Sequence, residues 1–136
     1  MQLRIPVSAT KVGALQAILA LNLTEEKRAL GIPAEEADKL EVELKRFFIM
    51  QALEPGDYVI PGPVDELWHA FLTDEETVRQ LETGMGVRIA HRPDNPEDKW
   101  LAMRESTKET YKRFFGPAPA LYADYGMLCW GCGWED

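Results

Sequence analysis

Cys129 and Cys132 are the only cysteines in the chain. They stand as C-x-x-C with Gly133 behind them, and the only histidines are His69 and His91. Two thiolates on a tight turn chelate one ion, the N–H groups of the turn point at the sulfurs, and a following glycine admits the left-handed backbone that such turns often need. Two thiolates and two imidazoles add up to one tetrahedral Cys2His2 zinc site, His69, His91, Cys129 and Cys132. Four protein ligands leave no open position, the mark of a structural ion rather than a catalytic one. The separations of His69 from His91 and of His91 from Cys129 fit no compact zinc finger, so the fold itself must assemble the site.

Asp65 precedes His69 by four residues, so on a helix the two share a face. A carboxylate there holds one imidazole nitrogen and presents the other to a metal or a substrate. Asp65 and Trp68 therefore stand behind the ligands. Each feature also has a plainer reading: a helix-surface Asp–His pair, a histidine ending a strand, two thiols in a tail. A thioredoxin-type redox role needs the C-x-x-C pair to open a helix after a strand. Four residues follow Cys132, too few for that helix. A cysteine-nucleophile triad has the residue types but no supporting order. Phosphate-binding, dinucleotide-binding and G-x-S-x-G motifs are absent.

The elements that must position these groups read as helices. Ala9 to Leu21 has Leu15, Ile18 and Leu19 at helical spacing, with Leu23 just beyond. Thr24 caps a short helix that stops at Gly31. Pro33 opens a longer one with Glu35 and Glu36 in its first turn, and its stripe is Ala37, Leu40, Leu44, Phe47, Phe48 and Gln51 or Leu53. Tyr58–Ile60 is a strand fragment. Val64–Leu72 is helical, and Thr73 with Glu76 forms a capping box for the next helix, which ends at Gly84–Gly86. Val87–His91 alternates as a second short strand that gives His91 the inward parity of Val87 and Ile89. Asn95–Pro96 starts the last helix, with Trp100, Met103, Thr107, Tyr111 and Phe114 or Phe115 on one face, and Gly116–Pro117 stops it. The expected fold is mostly α: one domain over residues 1–136, a bundle of five or six helices, with a two-stranded ribbon as an option. The aromatic tail, 117–136, packs on it.

The chain has 136 residues, is 46% hydrophobic and 28% charged, and carries a net charge of −8. This suits one domain with a genuine core. An acidic chain makes a poor partner for phosphate backbones, so nucleic acid is disfavoured and another protein is the expected partner. No apolar run is long enough to span a bilayer. Val12–Leu23, broken by Gln16 and Asn22, reads as an amphipathic helix rather than a leader, which places the protein in the cytoplasm. In that reducing compartment a C-x-x-C pair points to metal or redox chemistry rather than to a disulfide. Composition leaves the oligomeric state open.

Taken together, Leu44–Phe48, Pro55–Gly56, Pro63–His69 and Ile89–Pro93 resemble a family of small uncharacterised bacterial proteins related to the plant glycine-rich-domain-containing proteins. Its pattern is V-D-x-x-W-H, followed later by H-H-x-P or H-x-P. Val64, Asp65, Trp68, His69, His91 and Pro93 match, within residues 40–93. Val78 and Leu81 stand at aromatic and cysteine positions of the pattern, Ala90 replaces the first paired histidine, and the glycine-rich region is absent. The resemblance implies a shared helical core and a clustered Asp65, Trp68, His69 and His91, and it implies no reaction. The leading expectation is a zinc-stabilised binding or adaptor protein without catalysis. One alternative is a metal-dependent or His/Asp-based hydrolase with His69 as base and Asp65 orienting it. Another is an acidic inhibitor or decoy for a basic partner.

Overall fold

The computed structural model describes residues 3–5, 7–56, 58–60, 62–86, 88–90, 97–118 and 133–135. Among them are six helices: α1 (Ala9–Leu19), α2 (Thr24–Ala29), α3 (Ala34–Leu53), α4 (Gly62–Thr73), α5 (Glu75–Met85) and α6 (Glu97–Phe115). Two three-residue strands, β1 (Arg88–Ala90) and β2 (Gly133–Glu135), pair antiparallel. The molecule is mostly helical, as the spacing of apolar residues predicts. No helix among the described residues is long and apolar enough to cross a membrane.

α3 is the centre of the packing, in contact with α1, α2, α4 and α6. Its first half buries one stripe, Ala37, Leu40 and Leu44. From Phe47 to Ala52 every residue is buried. A helix enclosed on all sides must be apolar around its circumference, and the sequence Phe-Phe-Ile-Met-Gln-Ala nearly is. Gln51 is the polar exception. Its Nε2 donates to the Gly56 carbonyl at 2.9 Å, closing the turn that follows the helix.

Several local expectations are corrected. α1 stops at Leu19, which is exposed, while Ile18 and Leu23 are buried. Thr24 is the first helical residue of α2 rather than its cap. The Asn22 side chain accepts from both its N–H, at 3.0 Å, and its hydroxyl, at 2.7 Å. Asp74, not Thr73, caps α5: its carboxylate accepts from Thr77 N at 3.2 Å and from Thr77 Oγ1 at 2.8 Å. An ionised carboxylate answers the free N–H groups of a helix start better than a hydroxyl does. Thr73 Oγ1 instead donates back to the Ala70 carbonyl at 2.7 Å. The segment Tyr58–Ile60 is buried but pairs with no strand among the described residues. Val59 N donates to Thr107 Oγ1 at 2.9 Å, and that hydroxyl donates on to the Met103 carbonyl at 2.8 Å. One threonine side chain thus does what a neighbouring strand would have done. The strand that β1 meets comes from the far end of the chain.

α5 crosses α1 at its glycine. A Cβ on Gly84 would lie 2.6 Å from Ala17 Cβ, so the two helices approach at a distance that only glycine allows. Gly86 then ends α5 in the left-handed conformation, φ 71°. Replacing Gly84 by alanine gains about 1 kcal/mol of helix propensity but forces overpacking that costs about 1–3 kcal/mol. Gly84→Ala is expected to lower the chemical-denaturation midpoint, and Ala17→Gly in the same chain to restore much of it. A Gly84→Ala protein as stable as the parent would refute the close crossing.

Candidate functional site: the Asp65–Trp68–His69 turn

Helix α4 carries three of the residues singled out above on just over one turn. Val64, Leu67, Trp68 and Phe71 form its buried face. Trp68 has no accessible surface. Its ring stacks on Phe71, with centroids 5.6 Å apart and planes 17° from parallel. It meets Phe48 at 5.6 Å and Phe47 at 6.4 Å edge-on, both on α3. Offset and edge-on arrangements are those aromatic quadrupoles prefer, each worth about 0.5–1.5 kcal/mol beyond the area buried. Trp68 is therefore the anchor that fixes the rotation of α4 on α3.

That rotation sets the neighbours. His69 is one residue further round and half exposed, its side chain retaining 51% of its surface. Asp65 sits beneath it with 14%. His69 Nδ1 lies 2.7 Å from the Asp65 backbone carbonyl and 3.3 Å from Asp65 Oδ2. Both atoms are acceptors, so Nδ1 carries the proton, and in the neutral ring the lone pair is then on Nε2. This is the tautomer suited to binding a metal or taking a proton through Nε2.

The carboxylate is under strain of its own. Burial pushes Asp65 up to about 6, the neighbouring imidazole opposing and Glu66 adding to the rise. Asp65 Oδ1 is buried and has no hydrogen-bond partner among the described residues. A buried acceptor without a donor is costly, which singles this carboxyl out from the solvated acids of the surface.

Of the four expected zinc ligands, His69 lies in the described structure. His91, Cys129 and Cys132 lie outside the described residues, and so does the tail from 119 to 132. Among the described residues no group of three or more histidine, cysteine, aspartate or glutamate side chains is placed to hold a metal. Of the expected ligand set the structure therefore describes the α4 residues alone, His69 with Asp65 and Trp68 behind it.

Two further polar clusters went unread in the sequence. Glu43 and Arg46 of α3 meet Tyr111 of α6 inside the core. The Tyr111 hydroxyl donates to Glu43 at 2.8 Å, and Arg46 Nη1 donates to that hydroxyl at 2.6 Å and to Glu43 Oε1 at 3.1 Å. The guanidinium also lies 5.1 Å above the Phe115 ring. Burial and Glu43 together push the Tyr111 phenol well above its ordinary range, so it stays a donor. The second cluster is Glu26 with Asp74, at the junction of α2 and α5. The sequence reads most acids as solvated helix faces, and nothing in the spacing of these two marks them as different.

Trp68 and His69 are neighbours with opposite roles, and mutation separates them. Trp68→Ala is expected to cost about 3–5 kcal/mol, as for other enclosed aromatic side chains. His69→Ala, at a half-exposed position, is expected to change stability by about 0.5 kcal/mol or less. Equal losses from the two, measured by chemical denaturation, would overturn the division between anchor and site. Compared with protein-family models, curated proteins and solved structures, the chain matches none.

Proposed function

We propose that this is a zinc-stabilised binding protein without catalysis, its ion held by His69, His91, Cys129 and Cys132, with Asp65 orienting His69. The observation that carries this reading is the register of the ribbon, in which Ala90 faces Gly133. His91 follows Ala90 in the chain, and Cys132 precedes Gly133. The pairing of the residues next to His91 and Cys132 in the chain supports this reading, and Cys129 lies three residues before Cys132. The ribbon also rests on α3 and α5, the helices against which α4 packs, and Ile89 N donates to Glu82 Oε2 of α5 at 2.9 Å. The orientation of His69, with its Nδ1 toward Asp65, is the outer-shell arrangement common to zinc-binding histidines.

A zinc ion in that position would close the ribbon and fasten the end of the chain to the helical body, so its binding energy becomes folding energy. We infer a cytoplasmic setting, where such a thiol pair stays reduced, and another protein as partner, one with a basic surface to answer the net charge of −8.

One observation favours a second reading. A half-exposed imidazole backed by a buried carboxylate, with its lone pair on Nε2, is also a general base, and a hydrolase-type enzyme would use His69 in that role with Asp65 holding it. The count of protein ligands separates the two, since a catalytic zinc keeps a position for water.

The test is elemental mass spectrometry of untagged protein purified without chelator, with thiols counted on the same sample. One zinc per chain with both thiols masked is expected. Cys132→Ser is expected to lose the metal and lower the melting temperature, and Asp65→Asn to weaken zinc about ten- to a hundred-fold. A metal-free chain with two reactive thiols, and a melt unmoved by Cys132→Ser, would overturn the zinc reading and leave the hydrolase dyad.

A further inference from the structure

Glu26 is an acid in the wrong place for a surface residue. It lies on the short helix α2 yet is only 4% exposed. Both carboxyl oxygens are buried and, its own backbone N–H apart, reach no hydrogen-bond donor among the described residues. What it does reach is another carboxyl, that of Asp74. The two stand at a surface depression of about 480 Å³ where α2 meets the joint between α4 and α5.

The partner determines the protonation state. Asp74 is the α5 cap, and its oxygens already accept from Thr77 N and Thr77 Oγ1. A carboxyl that accepts those bonds at a helix start is held ionised. Two ionised carboxylates in contact repel, and one of them here is buried. The contact is attractive only if a proton sits in it, and Asp74 is the group already committed to accepting. Glu26 is therefore the acid that keeps the proton and donates it.

We propose that Glu26 and Asp74 form a proton-dependent latch that fastens α2 to the start of α5, closed when Glu26 is protonated and loosened when it ionises. The opposite displacements of the two groups agree with this. Burial, then the bond to Asp74, raises Glu26 to about 7. That same bond, then those from Thr77, holds Asp74 below the usual carboxylate range.

Among the described residues no other group lining the depression competes for the proton. On α2 itself, Glu25 adds repulsion but is paired with Arg28 at 3.0 Å. Lys27 turns to the other side, to Asp38 and Glu41 of α3 at 2.7 and 2.8 Å. α4 brings Ala70 and Thr73 to the depression, neither of them titratable, and α5 adds Glu75, a further negative charge. No cation from any of these elements is placed to substitute for the proton.

The direction of the effect follows from linkage. In the unfolded chain Glu26 titrates near its ordinary 4.5, and in the folded chain near 7. Below 4.5 both states hold the proton and the latch contributes fully. Between about 4.5 and about 7 the folded state alone keeps it, so folding stability declines as pH rises. Above 7 both have lost it and the curve is flat. Asp74 has the opposite sign, and its contribution is lost only as pH falls below the ordinary carboxylate range.

The experiment is a side-chain carboxyl NMR titration of the intact protein, paired with urea unfolding of the parent and Glu26→Gln from pH 5 to 8. The Glu26 carboxyl is expected to titrate near 7. The folding constant of the parent is expected to fall about ten-fold or more relative to that of Glu26→Gln across this range, because glutamine donates to Asp74 at every pH. Protection of the α2 amides, corrected for intrinsic exchange, should drop above neutrality in the parent and not in the variant. A Glu26 midpoint near 4.5 would overturn the latch, whether or not the variant folds. So would parallel stability curves for the two proteins.

Discussion

Trp68 sits with no accessible surface between Phe71 on its own helix and Phe47 and Phe48 on α3. Those rings can meet at close packing in few ways, because interiors are as dense as organic crystals and a slipped ring leaves a void. The angle and rotation of α4 follow from that packing. So does the placement of Asp65 three residues before Trp68, mostly covered, and of His69 one residue after it, facing out. α3 accepts this load because it is buried on every side from Phe47 to Ala52, and Tyr58 adds another edge-on ring at 6.5 Å from Phe47.

Around this aromatic centre the polar contacts act as clasps between helices. Lys45 Nζ reaches back to the Leu21 carbonyl at 2.9 Å and the Leu19 carbonyl at 3.2 Å, filling the unsatisfied carbonyl end of α1. Thr107 ties the extended segment before α4 to α6. Glu43, Arg46 and Tyr111 tie α6 to α3. Each clasp satisfies a buried donor or acceptor that would otherwise cost more than the bond returns. Glu26 and Asp74 differ because their clasp needs a proton from outside, and that makes this junction sensitive to pH where the others are not.

The proposed zinc site and the latch lie at opposite kinds of place. The proposed zinc ligands come from segments distant in sequence, and the β1–β2 ribbon next to two of these segments rests on α3 and α5. The latch is made by two residues within the helical body, one on α2 and one at the start of α5. One would fasten the tail through metal coordination, and the other fastens an early helix through a shared proton. Both concern how firmly peripheral elements are held to the same α3-centred core.

Much of this was legible in the residues themselves. Helical spacing together with capping, Gly and Pro signals located all six helices, and the stripe on α6 is buried at Met103, Thr107, Tyr111 and Phe114 as the period requires. The left-handed glycines at 31, 86 and 116 fall where helices stop. The Asp65–His69 spacing placed the two on one face, since i and i+4 meet on any helix. These are local properties, determined by covalent geometry within a few residues. The partner of β1, the burial of Glu26, the cap at Asp74 and the use of Thr107 in place of a strand depend on which surfaces come together. A glutamate on a short acidic helix looks the same in sequence whether it faces water or another carboxyl. Only the packing of α2 against α3 and α4, beside the start of α5, removed water from it, and desolvation is a property of the assembled structure, not of the chain.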